Sequence, residues 1–452
     1  MTSASYDTAP AGGATALPYP NAESRSAALH ARARTVLPSG NSRATVFFKP
    51  YPLYAVSGAG CLVTDADGVA RIDFLNNYTS LIHGHGHPAV LAAAGKQIET
   101  MTAVGLPTES EIDLAELLVD RLASVDQVRF TNSGTEAVMM AIKAARAYTG
   151  RPAIAKVEGA YHGAYDFAEV SQISLPTNWG AADHPASAPA YHGQPQSVLD
   201  EVVVLPWNDV AASKALLEAN ASRLAGVLID PMPSRVALSK IDPDYLDMIR
   251  SFTAKSGALF ILDEVFNLRM GYRGAQGALG FQPDITAMGK IIGGGFPVGA
   301  IGGKAAVMSV FNFDEGRPRI SHGGTYNANP VTMAAGRAAM EAMTPEAFAR
   351  LADLGERLRE GLRAALRDAN VPGQVSGDAS LAMLSLNETP IRTYRDLVGA
   401  ARHGERQVAI QQRLLNRGIL TSPALMFALS TAMGAAEIDH LIAEMRSALR
   451  DG

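Results

Sequence analysis

QVRFTNSGTEAVMMAIKAARAYTGR, residues 127–151, reads as a buried strand, a polar turn and an amphipathic helix. After the turn, Val138, Ala141, Ile142 and Ala145 fall at i, i+3, i+4 and i+7, one apolar stripe of helical period, with Lys143 and Arg146 off it. Six more apolar runs of strand length follow, separated by helical patterns: AIAKV (153–157), EVVVL (201–205), AGVLI (225–229), ALFIL (258–262), DITAM (284–288) and VGAIGG (298–303). Such alternation predicts an α/β fold, a mostly parallel seven-stranded sheet with helices on both faces.

The flanking segments read differently. CLVTDADG (61–68) and ARIDFL (70–75) form a hairpin around the turn dipeptide Asp67-Gly68. Residues 331–370 and 400–417 are helical in pattern, LAMLSLN (381–387) and GILTS (418–422) read as strands, and a last helix is expected near 435–449. The resulting organisation is a flexible arm over 1–25, an N-terminal segment over 26–78 that joins a smaller domain, a large domain over 79–330, and a C-terminal α+β domain over 331–452. Residues 171–200 carry no periodicity, and a loop that long is functional or disordered.

Composition removes several function classes. With 452 residues, 47% of them hydrophobic, the chain has ample core material for two or three subdomains, and global disorder is excluded. Lys+Arg number 39 against 44 Asp+Glu, so no positive excess exists to neutralise a nucleic acid backbone. Cys61 is the single cysteine, which excludes an internal disulfide and a cysteine-based zinc cage and suits the cytoplasm. No uncharged apolar stretch is long enough to span a membrane, and the N-terminus lacks a secretory signal pattern.

In open α/β sheets, ligands gather beyond the carboxyl ends of the strands, so the polar residues after each run are the candidates. ALFIL leads into Asp263-Glu264, compatible with a metal site, a helix cap or a ligand site. DITAM leads into Gly289-Lys290 and then IIGGGFP. A lysine among apolar residues and glycines is partly desolvated, which lowers its pKa and makes the amine nucleophilic towards carbonyls. An amine and an acid at neighbouring strand ends are what pyridoxal phosphate requires, one as Schiff-base lysine and the other as partner of the pyridinium nitrogen. Ser133, Gly134 and Thr135, at a strand-to-helix turn, suit either a phosphate cradle or a plain helix cap. Tyr161 and His162, between Gly159 and Gly163, either cover a flat ring or pack structurally.

Five motifs then carry a resemblance: TNSGTEAVMMAIKAARAYTGR (131–151), EGAYHGAYD (158–166), FILDEV (260–265) with GYRGAQG (271–277), PDITAMGKIIGGGFPVGAIGG (283–303) and HGGTYNANP (322–330). From about residue 35 to 445 the chain resembles the class III, fold-type I, pyridoxal-phosphate-dependent aminotransferases, in the branch of glutamate-1-semialdehyde aminomutase and the β-phenylalanine-type β-amino acid aminotransferases. The resemblance implies pyridoxal 5'-phosphate as cofactor, Lys290 as its covalent carrier and proton shuttle, and Asp263 on the pyridine nitrogen. It places Val265 and Tyr161 on the two ring faces, with His162 in the same cofactor site. Ser133, Gly134 and Thr135 would hold the phosphate, with Thr325 reaching across from a second subunit. A homodimer with a shared site, an amino donor and a keto acceptor are the implied partners, with no nucleic acid, membrane or metal.

For the substrate, LPSGNSRATVFFKPYPL (37–53) is similar to the segment in which β-phenylalanine-type enzymes carry a carboxylate-binding arginine, here Arg43. Tyr78 falls where the family places substrate-pocket residues, with a plain core role as the alternative. His83, His85 and His87 invite a metal reading that no acidic cluster supports. Two departures stand out. Ser422-Pro423-Ala424 lacks the arginine that grips a dicarboxylate acceptor, and Asp230-Pro231 replaces the family's Glu-Pro, with Arg235 following as a substitute cation or an exposed one. The expected activity is amino transfer from a β-amino acid with an aromatic or apolar side chain to a keto acid. The alternative is intramolecular transfer in glutamate 1-semialdehyde, with 171–200 as a lid. A cofactor-binding regulatory protein is disfavoured, because no DNA-binding helix pair or basic face is appended.

Overall fold

The antiparallel meander β1 (Ala55–Ala59), β2 (Leu62–Asp65) and β3 (Ala70–Asp73) turns between its last two strands at Asp67–Gly68, as the dipeptide predicts. Asp65 accepts the Asp67 and Val69 amides, and Gly68 sits at φ +79°, where a side chain would strain the backbone. The computed structural model describes residues 18–314, 316–399 and 404–451.

Among the described residues the central sheet has seven strands: β4 (Gln127–Thr131), β5 (Ala153–Val157), β6 (Val202–Leu205), β7 (Leu224–Ile229), β8 (Leu259–Asp263), β9 (Ile285–Gly289) and β10 (Gly299–Gly303), in the order 4-10-9-8-7-5-6. Period-two alternation sorts their side chains between two cores. Ile154, Val202, Val204, Leu228 and Ile261 pack with the helix Gly134–Thr149 on one face; Ala155, Val203, Val227, Phe260 and Leu262 pack with the helix Pro243–Ser256 on the other. Neighbouring strands run parallel except at β10, which is antiparallel to β4 and β9. The short link from β9 to β10 has no crossover helix, and Gly294 and Gly295, both at positive φ, turn the chain straight back.

The C-terminal lobe builds an antiparallel sheet from β11 (Gln374–Ser376), β12 (Leu381–Ser385) and a later strand. Between them β13 (Ile419–Leu420) pairs parallel with β3, and β14 (Met426–Ala428) completes the lobe's own sheet. The helical pattern over 331–370 is two helices, Pro330–Ala342 and Pro345–Asp368, because Thr344 caps the second through the Ala347 amide and Pro345 starts it. A helix Gly404–Asn416 matches the 400–417 pattern, whose first four positions lie outside the described residues.

Two expectations change. Of the arm expected over 1–25, residues 1–17 lie outside the described residues, while the chain from 18 onward is anchored: Tyr19 is buried, its amide donates to Asn416 Oδ1 at 2.6 Å, and its hydroxyl donates to the Tyr51 carbonyl at 2.7 Å. The aperiodic stretch 171–200 is an ordered strap with buried Ser171 and Ser174, clamped by Arg395 on a helix (Tyr394–Gly399) that sequence periodicity did not reveal. Among the described residues no helix is long and apolar enough to cross a membrane.

Candidate active site

Because β4, β5, β7, β8 and β9 point the same way, each delivers its next polar residue to one edge of the sheet: Ser133 just past β4, Glu158 past β5, Asp230 past β7, Asp263 closing β8 and Lys290 past β9.

Lys290 stands at φ +51°, a left-handed conformation uncommon for a side-chain-bearing residue and costing about 1 kcal/mol or more unless its surroundings enforce it. Its Nζ lies 5.5 Å from the Phe266 ring centroid. Burial lowers its pKa; the Asp263 and Asp230 carboxylates oppose that shift and the Arg269 guanidinium adds to it. Asp263 is 4% exposed, and its two oxygens are held separately: Oδ1 accepts the Val265 amide at 2.9 Å and Oδ2 accepts His162 Nδ1–H at 2.7 Å. The His162 side chain is fully buried, burial lowers its pKa against the favourable Asp263 contact, and the Nδ1 that faces the acceptor-only carboxylate carries a proton. The ring's contact in the structure is with Asp263, whose carboxylate it holds in place.

The acidic pair Asp263-Glu264 divides between two of its sequence readings. Glu264, at 0% exposure, turns away and accepts the amides of Ala275 and Gln276, capping the helix Gly274–Leu279. Asp230, 5% exposed, accepts the Met232 amide and the Asn267 side chain, and burial with help from the Asp263 charge pushes its pKa up to about 8.

The phosphate-cradle candidates begin the helix Gly134–Thr149. Ser133 Oγ accepts the Glu136 amide at 3.2 Å and Glu136 Oε2 accepts the Asn132 amide at 2.6 Å, a reciprocal cap that leaves the first helical N–H groups pointing outward. A Cβ on Gly134 would meet Val265 Cγ1 at 2.6 Å, and one on Gly163 would meet Thr135 Oγ1 at 2.5 Å. Val265, Ser133–Thr135, His162–Gly163 and Asp263 thus form one continuous surface. Tyr161 is 47% exposed beside it, with the Arg235 guanidinium 5.4 Å from its ring centroid.

The substrate candidates stand on a left-handed turn. Asn76, Asn77, Tyr78 and Thr79 all have positive φ, held by Asp73 Oδ1 on the Leu75 and Asn76 amides and by Asn76 Nδ2 on the Ala428 carbonyl. Asparagine tolerates this region; tyrosine and threonine do so at a cost. Arg43 is exposed, donates to Asn77 Oδ1 at 2.9 Å and lies 5.6 Å over the Tyr78 ring, and the Tyr78 hydroxyl donates to the Thr45 carbonyl. Tyr78 packs on the same apolar cluster as Phe266, which connects it to Lys290. Beside Tyr78 a cavity of about 140 Å³ is lined by Val46, Phe48, Leu75, Ser422 and Pro423. Arg235 is half-buried rather than exposed. Thr325 is exposed, on a segment tied to Asn132 through Asn327. The three histidines serve the fold: His85 meets Asp73, His83 meets Thr431 and the Ala339 carbonyl, and His87 stacks on His83.

Sequence reasoning did not find the positioning role of His162, the Phe266 ring, the 76–79 turn or Arg269. Arg269, 1% exposed, donates to Ser380 Oγ and to the carbonyls of Thr79 and Leu429, joining the end of the 76–79 turn to the C-terminal domain. A buried arginine between remote carbonyls leaves no local sequence signal; the Asn76-Asn77 pair was the visible trace of the turn.

Residues 47–449 match the family described as aminotransferase class-III. The chain belongs to the class III aminotransferases. It is 36% identical to a glutamate-1-semialdehyde 2,1-aminomutase of Methanothermobacter thermautotrophicus over 94% of this chain and 98% of that protein. It is 35% identical to the β-phenylalanine transaminase of Variovorax paradoxus over 91% of this chain and 89% of that one. The solved structure of an omega-transaminase from Sphaerobacter thermophilus is similar at 52% identity and a TM-score of 0.93, covering 95% of this chain and 98% of that one. The chain is a pyridoxal-phosphate-dependent transaminase of fold-type I. The residues at the strand ends fit that cofactor: a desolvated amine, a buried carboxylate three sheet positions from a helix N-terminus, and glycines where a Cβ would collide.

Proposed function

We propose that this class III aminotransferase moves an amino group from a β-amino acid with an aromatic or apolar side chain to a keto acid. The observation that carries the reading is Arg43, stacked over Tyr78 on the apolar cluster that also holds Phe266 beneath the Lys290 amine. A guanidinium there fixes a carboxylate, while the cavity of about 140 Å³ beside Tyr78 suits an apolar side chain.

Pyridoxal phosphate supplies, when bound, a carbonyl carbon that captures amines and a ring that stores the electron pair released when a C–H bond breaks. Lys290 would hold it covalently. As a free amine, Lys290 Nζ would take the proton from the donor carbon, a task for which a desolvated, readily neutral amine is suited. Asp263, fixed by His162 and the Val265 amide, keeps a proton on the pyridine nitrogen. Ser133, Gly134 and Thr135 would hold its phosphate at the helix N-terminus, and Val265 and Tyr161 would pack against its ring. Over a full cycle the donor CH–NH2 becomes C=O with oxygen from water, and the acceptor C=O becomes CH–NH2. No external oxidant or reductant is consumed.

A homodimer is part of this proposal, supported by the exposed Thr325 and by exposed Leu91, Ile98, Leu106 and Ile112 on neighbouring segments; light scattering at working concentration tests it. Cytoplasmic residence rests on the unpaired, buried Cys61. The activity is tested by incubating the protein with β-phenylalanine and a panel of keto acceptors. Amino transfer to at least one acceptor is expected, and transfer to none refutes the reading. Conversion of glutamate 1-semialdehyde to 5-aminolevulinate with no second substrate would assign the chain to the aminomutase branch instead.

A further inference from the structure

Arg235 sits in the 3-10 turn Ser234–Val236, five residues after Asp230, which follows β7. Pro231 and Pro233 restrict the approach, and Ala237 and Leu238, both at positive φ, fold the chain back. Around the arginine the turn is firmly packed: Met232, Ala237 and Leu238 are buried in the cluster that holds Tyr78, Phe266 and Met426. The guanidinium is not matched to that rigid setting. It is half-buried and, among the described residues, makes one long hydrogen bond, Nη1 to the Gln172 carbonyl at 3.3 Å, and its Cζ lies 5.4 Å from the Tyr161 ring centroid. The acidic groups facing it are the phenols of Tyr161 and Tyr394, and the Arg235 charge in turn helps burial lower the Lys156 pKa to about 7. Three arginines of comparable or deeper burial are matched to their settings: Arg71 by Asp65 and the Leu415 carbonyl, Arg359 by Glu356 and two carbonyls, Arg395 by Glu158 and three carbonyls; buried Arg121 shares the mismatch, with Nε and Nη1 unpartnered among the described residues.

Substrate chemistry requires a second anion site. Donor and acceptor react in turn at the same atom of the cofactor beside Lys290. In a β-amino acid the carboxyl carbon is two bonds from the reacting carbon; in a 2-oxo acid it is bonded to it directly. One arginine cannot meet both carboxylates with the reacting carbon in one place. The C-terminal lobe offers no cation at Ser422-Pro423-Ala424, although Met426, two residues on, packs against the 232–238 turn.

We propose that Arg235 binds the carboxylate of the amino acceptor, a 2-oxo acid with a single carboxylate, while Arg43 serves the donor; this rests on the transaminase reading above. Tyr161 holds the guanidinium in plane for a bidentate grip. The test starts from the amino form of the enzyme, prepared with a donor and freed of product, and follows recovery of the cofactor absorbance with pyruvate or with propanal, its carboxylate-free counterpart. Wild type favours pyruvate. Arg235→Gln lowers the pyruvate-to-propanal ratio of kcat/KM by about 10- to 150-fold, the range for one charge-assisted hydrogen-bonded contact, and Arg235→Lys restores part of it. Propanoate, which cannot react, perturbs the absorbance of the resting wild-type enzyme and binds R235Q at least about tenfold more weakly by the same range. Equal loss with both acceptors marks Arg235 as structural and overturns the proposal, as does a wild type that reacts with both equally. A ratio that falls in Arg43→Gln and not in R235Q assigns the acceptor to Arg43 and also overturns it. If no amine converts the wild type to the amino form, the transaminase reading itself fails and this proposal with it.

Discussion

Replacing Asp263 by Asn tests the electrostatic centre of the site with almost no change in shape. The amide oxygen can keep the bond from the Val265 amide, now 2.9 Å. The new NH2 then faces His162 Nδ1, which lies 2.7 Å from the carboxylate oxygen it replaces. That contact survives if the imidazole proton moves to Nε2, which is buried without a protein partner, at a cost of about 1–3 kcal/mol for an unsatisfied N–H. What the variant loses outright is the anion. At about 4 Å and an effective dielectric of about 20, a charge pair with a protonated pyridine is worth about 4 kcal/mol, which corresponds to roughly a thousandfold in rate. Stopped-flow absorbance of the donor half-reaction under single-turnover conditions reads this directly, with thermal unfolding as the control for the tautomer cost. Asp263→Asn should slow the half-reaction about a thousandfold while the fold persists. A variant that unfolds normally and retains more than about a tenth of the rate would refute the assigned role of the carboxylate.

Asp230 tests the same electrostatics through pH. Its carboxyl, raised from 3.8 to about 8 by burial and the Asp263 charge, keeps a proton in the folded state that the unfolded chain releases, so stability falls as pH rises through that window. Asp230→Asn escapes the loss, and its gain in thermal midpoint in the cofactor-free protein should be larger at pH 9 than at pH 5; equal gains would contradict the assignment. Arg395→Ala removes both bonds to Glu158, at 2.8 and 3.1 Å, and leaves that buried carboxylate unpaired at about 3–5 kcal/mol. Limited proteolysis should then cut within 171–200 well before the rest of the chain, and a strap as resistant as wild type would show the clamp to be dispensable. Arg43→Gln should lower kcat/KM for β-phenylalanine relative to the matching amine without a carboxylate by about 10- to 100-fold, and an unchanged ratio would remove Arg43 from the donor site.

The central sheet was legible because its strands are covered on both faces. Every position of β5, β7, β8 and β9 is buried, so apolar runs write the strands directly into the sequence. The short strands β11 and β14, three residues each, had no such signature. The strap over 171–200 looked structureless because its order comes from Arg395, more than two hundred positions away along the chain. The same limit applies to the site. Each strand-end residue could be picked out by its place after an apolar run. The contacts that fix those residues span 101 positions from His162 to Asp263 and 34 from Arg43 to Asn77, and no local pattern records them.

Two ambiguities in the sequence have the same physical origin. Asp263-Glu264 could be read as a helix cap or as a functional acid because adjacent strand residues point to opposite sides, so one dipeptide can serve two purposes. Asp263 turns to the site, and Glu264 to the helix Gly274–Leu279, where a side chain on Gly274 would meet Glu264 Oε2 at 2.1 Å. Ser133 poses the question within one side chain. Its oxygen accepts the Glu136 amide and so caps the helix, but a hydroxyl also has a proton to donate, and the cap leaves that proton free. Cap and phosphate ligand are therefore compatible roles. The capped helix end, with Val265 pressed against Gly134, holds the outward-facing amides rigid, and that rigidity makes the turn suited to an anion.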